Sequence, residues 1–265
     1  MTETIKLWTS VKSADNGIKN VSLTYYKPVE TAAKAAFLIC PGGGYHHVSD
    51  REGDTIAKWL NAAGIHAFVV NYRVFPHAYP AQLQDACRAM RFIRHNAAMY
   101  NIDSEKIGIM GFSAGGHLAS TVACYYKEDE KLLNDDIDEK SARPDLLVLG
   151  YPVITMGQFT HQGSRDALTG GKTSQELYDF LSNEKHVHSG MPPVFLWHTA
   201  DDQGVPVQNS LLFSGALAEK KIPFEMHIFP HGNHGLAAGI QSGVYNAYCA
   251  VWLQYLERWL RSQGF

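Results

Sequence analysis

K-I-G-I-M-G-F-S-A-G-G-H-L-A-S-T, residues Lys106–Thr121, reads as a strand, a turn and a helix in immediate succession. Ile107–Met110 is a short apolar run of the kind a buried strand provides. Gly111-Phe112-Ser113-Ala114-Gly115 comes at once after it, and a helical pattern begins at Ser113. The result is G-x-S-x-G between a strand and a helix, the setting in which a serine is held on a sharp, strained turn as a nucleophile. The glycines have a steric reason: positions two before and two after the serine crowd the turn and must lack Cβ. The turn sets the Ser113 hydroxyl at a helix N-terminus, where unpaired N–H groups favour a developing oxyanion. A serine that only caps a helix after a strand, in any α/β protein, is the alternative that the motif by itself leaves open.

Toward the N-terminus, Ile5–Trp8 and Val21–Tyr26 are short alternating runs separated by S-A-D-N-G, and they predict an antiparallel pair. Pro28–Lys34 connects them to Ala35–Cys40, a continuous apolar run that leads into Pro41-Gly42-Gly43-Gly44-Tyr45. Three glycines let the backbone approach something closely with its N–H groups free. A phosphate loop would need G-x-G-x-x-G or a Walker pattern, and neither is here; a plain flexible loop is the other alternative. The reading adopted is an oxyanion loop, in which the Gly43 and Gly44 amides join that of Ala114 around a tetrahedral oxyanion. Arg51–Ala63 has helical periodicity and ends at Gly64. Ile65–Tyr72 is the next strand, Y-R-V-F-P-H-A-Y-P a proline-punctuated loop, and Ala81–Met99 a long helix.

Toward the C-terminus, Lys127–Arg143 is charge-rich and reads as a solvated loop or short surface helix. Leu146–Tyr151 is a strand. Pro152–Gly190 has no clear period apart from a short helix near Ser174–Leu181, and its length and position predict a lid or cap over Ser113. Val194–His198 is a strand entering T-A-D-D-Q-G-V-P, Val207–Lys220 a helix, and Phe224–Phe229 a strand entering P-H-G-N-H-G. An amphipathic helix at about Gly243–Arg261 closes the chain. Eight strands that alternate with helices after the opening pair predict an α/β fold with a mostly parallel, doubly wound sheet and helices on both faces. At 265 residues this is expected as one domain.

Composition narrows the function. The formal net charge is −3 and no Lys/Arg cluster exceeds a pair, so nucleic acid and anionic membranes are not expected partners. The N-terminus lacks the basic and apolar regions of a signal peptide, and no apolar run approaches a membrane span, which points to a cytoplasmic protein. Cys40, Cys87, Cys124 and Cys249 are isolated in apolar or helical contexts and read as buried free thiols of a reducing compartment. His46, His47, His161, His186 and His188 match no metal-ligand spacing, so no metal is expected.

A serine hydroxyl needs a neighbouring base, and the base an orienting carboxylate. In open parallel sheets, sites gather at the carboxyl ends of strands. The glycine loop, Ser113, Asp201/Asp202 and His231/His234 all lie just past predicted strands, in the order Ser…Asp…His. The doublet and the two histidines each leave a choice.

With these stretches in view, the chain resembles the α/β-hydrolases of the esterase/lipase group. It is most similar to the bacterial carbohydrate-esterase branch that includes acetyl xylan and feruloyl esterases. The matching stretches are P-G-G-G-Y with S-D-R-E-G after it, N-Y-R-V-F-P-H-A-Y-P-A-Q-L-Q-D-A, I-G-I-M-G-F-S-A-G-G-H-L-A, H-T-A-D-D-Q-G-V-P-V and H-I-F-P-H-G-N-H-G-L, spread from about Ala35 to Ala238. The resemblance implies Asp202, in D-x-x-V-P, as the acid and His234, in G-x-H-G, as the base. Many esterase relatives carry H-G-G-G where this chain has Pro41, so a side-chain contact that steadies the loop is missing. The resemblance further implies a serine carboxylesterase that acts through an acyl-enzyme on short-chain, mainly acetyl, esters of a sugar, with no cofactor. Tyr45 and Arg165 are candidate substrate contacts. A serine peptidase for small peptides and a non-catalytic receptor on the same scaffold are the rival readings. A second copy of the chain, forming a homodimer, is the one protein partner considered.

Overall fold

The computed structural model describes residues 2–9, 17–30, 34–241 and 244–265. Eight strands form one sheet: β1 (Thr2–Lys6), β2 (Ser22–Tyr26), β3 (Ala36–Cys40), β4 (His66–Asn71), β5 (Ile107–Phe112), β6 (Leu147–Gly150), β7 (Val194–Thr199) and β8 (Phe224–Phe229). Their order is β1-β2-β4-β3-β5-β6-β7-β8. β1 and β2 run antiparallel, as does β2 against β4, and every later pairing is parallel. The opening pair thus exists, but its first strand lies earlier than Ile5–Trp8. Leu7 and Trp8 leave the strand and are buried, and the Trp8 Nε1–H donates to Asp85 Oδ1 at 2.9 Å. Most of the turn expected between the two strands, Ser13–Asn16, lies outside the described residues.

Alternation along the strands sorts the core into two layers, because successive side chains point to opposite faces. Leu38, Ile109, Leu149 and Leu196 pack with α2 (Ala81–His95), α3 (Ala114–Tyr125) and α6 (Gln208–Glu219). Phe37, Ile39, Phe112 and Trp197 pack with α1 (Asp50–Ala62) and α8 (Trp252–Ser262). α1 ends as expected, with Gly64 at φ 80° and the Ile65 amide bonded back to Leu60 O at 3.0 Å. The long helix stops at His95 rather than Met99, where the Asn96 side chain bonds back to Phe92 O at 2.9 Å. The last helix is divided at Val251 into α7 (Ala247–Ala250) and α8, after a small hairpin, β9 (Ile240–Gln241) with β10 (Val244–Tyr245).

The insertion between β6 and β7 carries α4 (Gln162–Thr169) and α5 (Gln175–Phe180). Two buried asparagines pin its ends. Asn209 accepts the Ile154 and Thr155 amides at 2.8 and 3.0 Å and donates to Phe159 O at 2.9 Å. Asn183 donates to His117 O, Ser120 Oγ and Thr121 Oγ1 on α3.

Lys127–Arg143 is the expected loop with much of its length exposed, but buried ion pairs anchor it. Arg88, Arg91 and Arg94 recur every three residues on α2, so one helix face presents three guanidinium groups, and the acids of the excursion dock on it. Arg88 Nη1 reaches Asp135 at 2.6 Å and Asp138 at 2.8 Å, while Arg91 pairs with Asp129. The side chains of Arg88, Asp138 and Asp129 are at most 3% exposed. Removing one partner of such a buried pair costs about 3–5 kcal/mol, because the other charge is left unpaired. Asp138→Ala is therefore expected to lower the unfolding free energy in urea by about 3 kcal/mol. The exposed neighbour change Glu139→Ala should stay within about 0.5 kcal/mol of wild type. The Arg88 guanidinium also holds the Asp135 carboxyl down from 3.8 to about 2 against a partial burial that opposes it. A depressed folded-state value stabilises fully above the unfolded value and is lost as pH falls through the folded one. Asp135→Asn should accordingly flatten the fall in stability between about pH 4 and about pH 2 on acid titration.

Candidate active site

Ser113 sits between β5 and α3 at φ 53° and ψ −123°, a backbone state that costs a non-glycine residue about 1–3 kcal/mol. The flanking glycines are demanded by their neighbours. A Cβ on Gly111 would stand 2.1 Å from the Gly115 carbonyl oxygen, and one on Gly115 would stand 2.0 Å from that of Cys40. The turn is fixed on both sides, with the Ser113 amide on Gly150 O and its carbonyl accepting the Val153 amide, each at 3.0 Å.

Ser113 Oγ lies 2.8 Å from His234 Nε2, and His234 Nδ1 lies 2.7 Å from Asp202 Oδ2. The other carboxylate oxygen, Oδ1, accepts the Gly204 and Val205 amides at 2.8 and 2.9 Å. The buried His198 adds a fourth contact. Its Nε2 faces Val205 O at 3.0 Å and Asp202 Oδ2 at 3.3 Å, while Nδ1 meets Ser210 Oγ at 2.8 Å. A carbonyl can only accept, so Nε2 carries the proton. Burial alone would raise the Asp202 pKa. The hydrogen bonds from His198 and His234, the His234 charge and the Val205 amide outweigh it and hold the carboxyl well below the usual carboxylate range. With an acid so fixed, His234 Nδ1 is the donor to it and Nε2 is poised to take a proton from Ser113.

Asp201 and His231, the alternatives for acid and base, find each other instead. His231 Nδ1 is 2.9 Å from Asp201 Oδ2, and the Gly232 amide donates to Asp201 Oδ1 at 2.8 Å. This second pair is solvent-facing, with the His231 side chain 84% exposed, and it braces the loop that carries His234.

The glycine loop lies against the serine. A Cβ on Gly42 would stand 2.8 Å from Ser113 Cβ, and one on Gly43, at φ 122°, would strike His47 O at 2.1 Å. Among the described residues the Gly43 and Gly44 amides have no acceptor, and Ala114 supplies the first amide of α3. Three contacts steady this loop in place of the histidine that Pro41 replaces. The Gly42 amide donates to Glu52 Oε2 at 2.7 Å, Tyr72 Oη–H to Pro41 O at 2.6 Å, and Tyr45 Oη–H to His117 Nδ1 at 2.8 Å. His117 Nε2 meets Leu181 O at 2.8 Å, and burial, only partly offset by that bond, lowers its pKa to about 4.

Glu52 also accepts Tyr151 Oη–H at 2.8 Å, and Tyr151 Oη accepts the Ala237 amide at 2.9 Å. The Tyr151 ring stands edge-on to the His234 ring at 5.0 Å. One buried carboxylate therefore ties the glycine loop to the segment that carries His234. Neither Glu52 nor Tyr151 stands out as a site residue in the sequence. Glu52 does lie in S-D-R-E-G, beside the glycine loop, as an acid in the first turn of a helix whose burial nothing local announces.

The site opens to a cavity of about 300 Å³, lined by Gly43, Gly44, Ser113, His234 and Gly235, by His47, Ser49, Arg51 and Glu52, and by His161 from the insertion. None of these side chains is a hydrocarbon. Two expected substrate contacts are not among them. Tyr45 is fully buried, because its φ of 62° turns the side chain back under α3 toward His117. Arg165 stacks over the Tyr178 ring at 4.5 Å and donates to Met156 O at 3.2 Å, bracing the insertion internally. Of the other histidines, His46 and His47 lie on the surface of the loop, His186 packs against Tyr125 and Phe180, and His188 accepts the Gly190 amide. Among the described residues no group of three His, Cys, Asp or Glu side chains converges as a metal site requires.

Ester hydrolysis should tell the neighbouring carboxylates apart. Asp202→Asn removes the acceptor that selects the His234 tautomer, and kcat should fall on the order of 10⁴-fold, whereas Asp201→Asn should cost less than about tenfold in steady-state assays. Glu52→Gln keeps an oxygen for one donor and offers N–H to the other. It should lower kcat by about 10- to 100-fold with KM within about threefold, the signature of displaced rather than missing groups.

The chain is 42% identical over 221 residues to endo-1,4-beta-xylanase B of Butyrivibrio fibrisolvens, covering 81% of the chain. It is 33% identical over 240 residues to an acetylxylan esterase of Xylanibacter ruminicola, covering 88% of the chain. It spans only 34% and 46% of the length of these two relatives. Among solved structures, the acetyl ester-xyloside bifunctional hydrolase of Caldicellulosiruptor lactoaceticus superposes with a TM-score of 0.91 at 42% identity, over 99% of this chain and 97% of that one. The carboxylesterase Cest-2923 of Lactobacillus plantarum gives 0.80 at 29%, over 100% and 97%. Residues 23–217, which hold the glycine loop, the Ser113 turn and Asp202, match BD-FAE, and the chain belongs to that family of α/β-hydrolase-fold esterases.

Proposed function

We propose that this chain is a serine carboxylesterase that removes short acyl groups, acetyl above all, from a sugar or oligosaccharide through an acyl-enzyme. The observation that carries the reading is the unbroken hydrogen-bonded line from Ser113 Oγ through His234 to Asp202. Ser113 attacks the ester carbonyl while His234 Nε2 takes its proton. The Gly43, Gly44 and Ala114 amides receive the oxyanion. His234 then hands the proton to the leaving alcohol. Water, deprotonated by the same imidazole, attacks the acyl-enzyme and releases the acid and Ser113. Throughout, Asp202 stays ionised and holds the imidazolium.

The sugar and the small acyl group are supported by the cavity. It is polar, so a long acyl chain has no apolar trough to enter. Relatives named for acetylxylan and acetyl ester-xyloside hydrolysis support the same class. The Pro152–Gly190 insertion, which contributes His161 to the lining, serves as the wall over Ser113. All four cysteines are buried and unpaired, which supports a reducing compartment.

A fluorophosphonate probe should label Ser113 in the wild-type protein and nothing in Ser113→Ala, whose hydrolysis rate should fall roughly 10⁴- to 10⁶-fold. Each acyl methylene that fails to fit forfeits about 0.8 kcal/mol of hydrophobic gain. Along acetyl, butyryl and octanoyl esters, kcat/KM should therefore fall. A rise out to the octanoyl ester would replace the sugar-ester reading with a general lipid esterase.

A further inference from the structure

His161 is the one group in the cavity that the insertion supplies and that the proposed mechanism leaves unused. Its ring has a fixed tautomer. His161 caps α4, and its Nδ1 accepts the backbone amide of Ser164 at 3.2 Å, with Ser164 Oγ at 2.8 Å. A backbone N–H can only donate, so Nδ1 carries no proton and the neutral ring bears it on Nε2. Nε2 lies on the opposite edge of the ring and has no acceptor among the described residues. Protonating Nδ1 would break the cap. Burial and then the neighbouring His234 lower the His161 pKa against the pull of Asp202, which keeps the ring neutral at neutral pH. The site thus holds a rigid N–H donor beside Ser113 and His234. The ester carbonyl is already provided with three amides, and an acetyl methyl gains nothing from a donor. The remaining polar part of the ester is its alcohol.

We propose that His161 is a specificity-determining residue whose Nε2–H donates a hydrogen bond to an oxygen of the sugar that carries the acyl group. The assignment rests on the sugar-ester reading above. It explains why a histidine, rather than the commoner serine or aspartate, stands at this cap: those residues cap equally well but carry no second donor directed away from the helix.

The test uses His161→Asp, which keeps the cap acceptor and carries no donor, alongside His161→Ala, which loses both. Rates are compared on acetylated xylose and on phenyl acetate, whose leaving group has no hydroxyl or ring oxygen for the donor to meet. Both variants should lose roughly tenfold in kcat/KM on the acetylated sugar and keep phenyl acetate hydrolysis within about threefold. Only His161→Ala should lower the melting temperature. Equal losses on the two esters, or none on either, would overturn the assignment while leaving the esterase reading standing. A wild-type protein that cleaves phenyl acetate but no acetylated sugar would remove the sugar reading and this inference together. Nitrogen-15 spectra of the Ser113→Ala protein give an independent check: a proton on His161 Nδ1 at neutral pH would refute the tautomer.

Discussion

The carboxyl edge of the sheet depends on one backbone conformation, that of Ser113 at φ 53° and ψ −123°. It stores strain of about 1–3 kcal/mol that the surroundings must hold in place. The packing around it explains how. α3 comes so close to β3 that only glycine fits at position 115, under the carbonyls of Cys40 and Pro41. That same approach brings the glycine loop against the serine, since the loop begins where β3 ends. Gly150 and Val153 grip the turn from the β6 side. The serine, the amides facing it and the root of the insertion are thus consequences of a single close contact between a helix start and two strand ends.

Electrostatics complete what sterics begin. A lone carboxylate buried beside aromatic rings would be protonated or expelled. Asp202 remains ionised because two amides hold one oxygen and two histidines the other. Glu52 is likewise held at both oxygens, by an amide on one and a phenol on the other. The two acids divide the work: Asp202 sets the orientation of the His234 ring, and Glu52 sets the distance between that ring's support and the glycine loop. The neighbouring Asp201–His231 pair repeats the Asp202–His234 contact in solvent, where the charges are worth little and only the loop geometry benefits.

The parts of this arrangement that are legible in the sequence are those governed by local rules. G-x-S-x-G is readable because its glycines answer to a steric demand within one short turn. The strand ends are readable from apolar runs, and with them come the eight strands and the side of the sheet on which the site lies. Asp201 and Asp202 are equivalent by spacing. What separates them is which carboxylate a loop turns inward, and only the resemblance to esterases chooses Asp202. Tyr45 is misplaced at the cavity because its direction depends on a positive φ that nothing in P-G-G-G-Y compels. Arg165 is misplaced because its partners, the Met156 carbonyl and the Tyr178 ring, meet it only through the way the insertion folds back on itself, which no local pattern fixes. The anchoring of Lys127–Arg143 is hidden because its countercharges sit far back in the chain, on a helix whose apolar positions draw attention away from its arginines.

The two buried asparagines at the ends of the insertion separate two properties that most loops couple. Asn209 on α6 holds the main chain at Ile154, Thr155 and Phe159, and Asn183 fastens the other end to α3 at His117 O and the Ser120 and Thr121 hydroxyls. The stretch from Thr160 to Phe180 is therefore a cassette held in a frame, and Leu181, whose carbonyl meets His117 behind the glycine loop, belongs to the frame. Its length and composition can drift under selection for a new substrate while the sheet, the Ser113 turn and the loop of amides keep their geometry. Specificity and catalytic competence then evolve on separate stretches of one chain, and grafting this segment between relatives exchanges the former without rebuilding the latter.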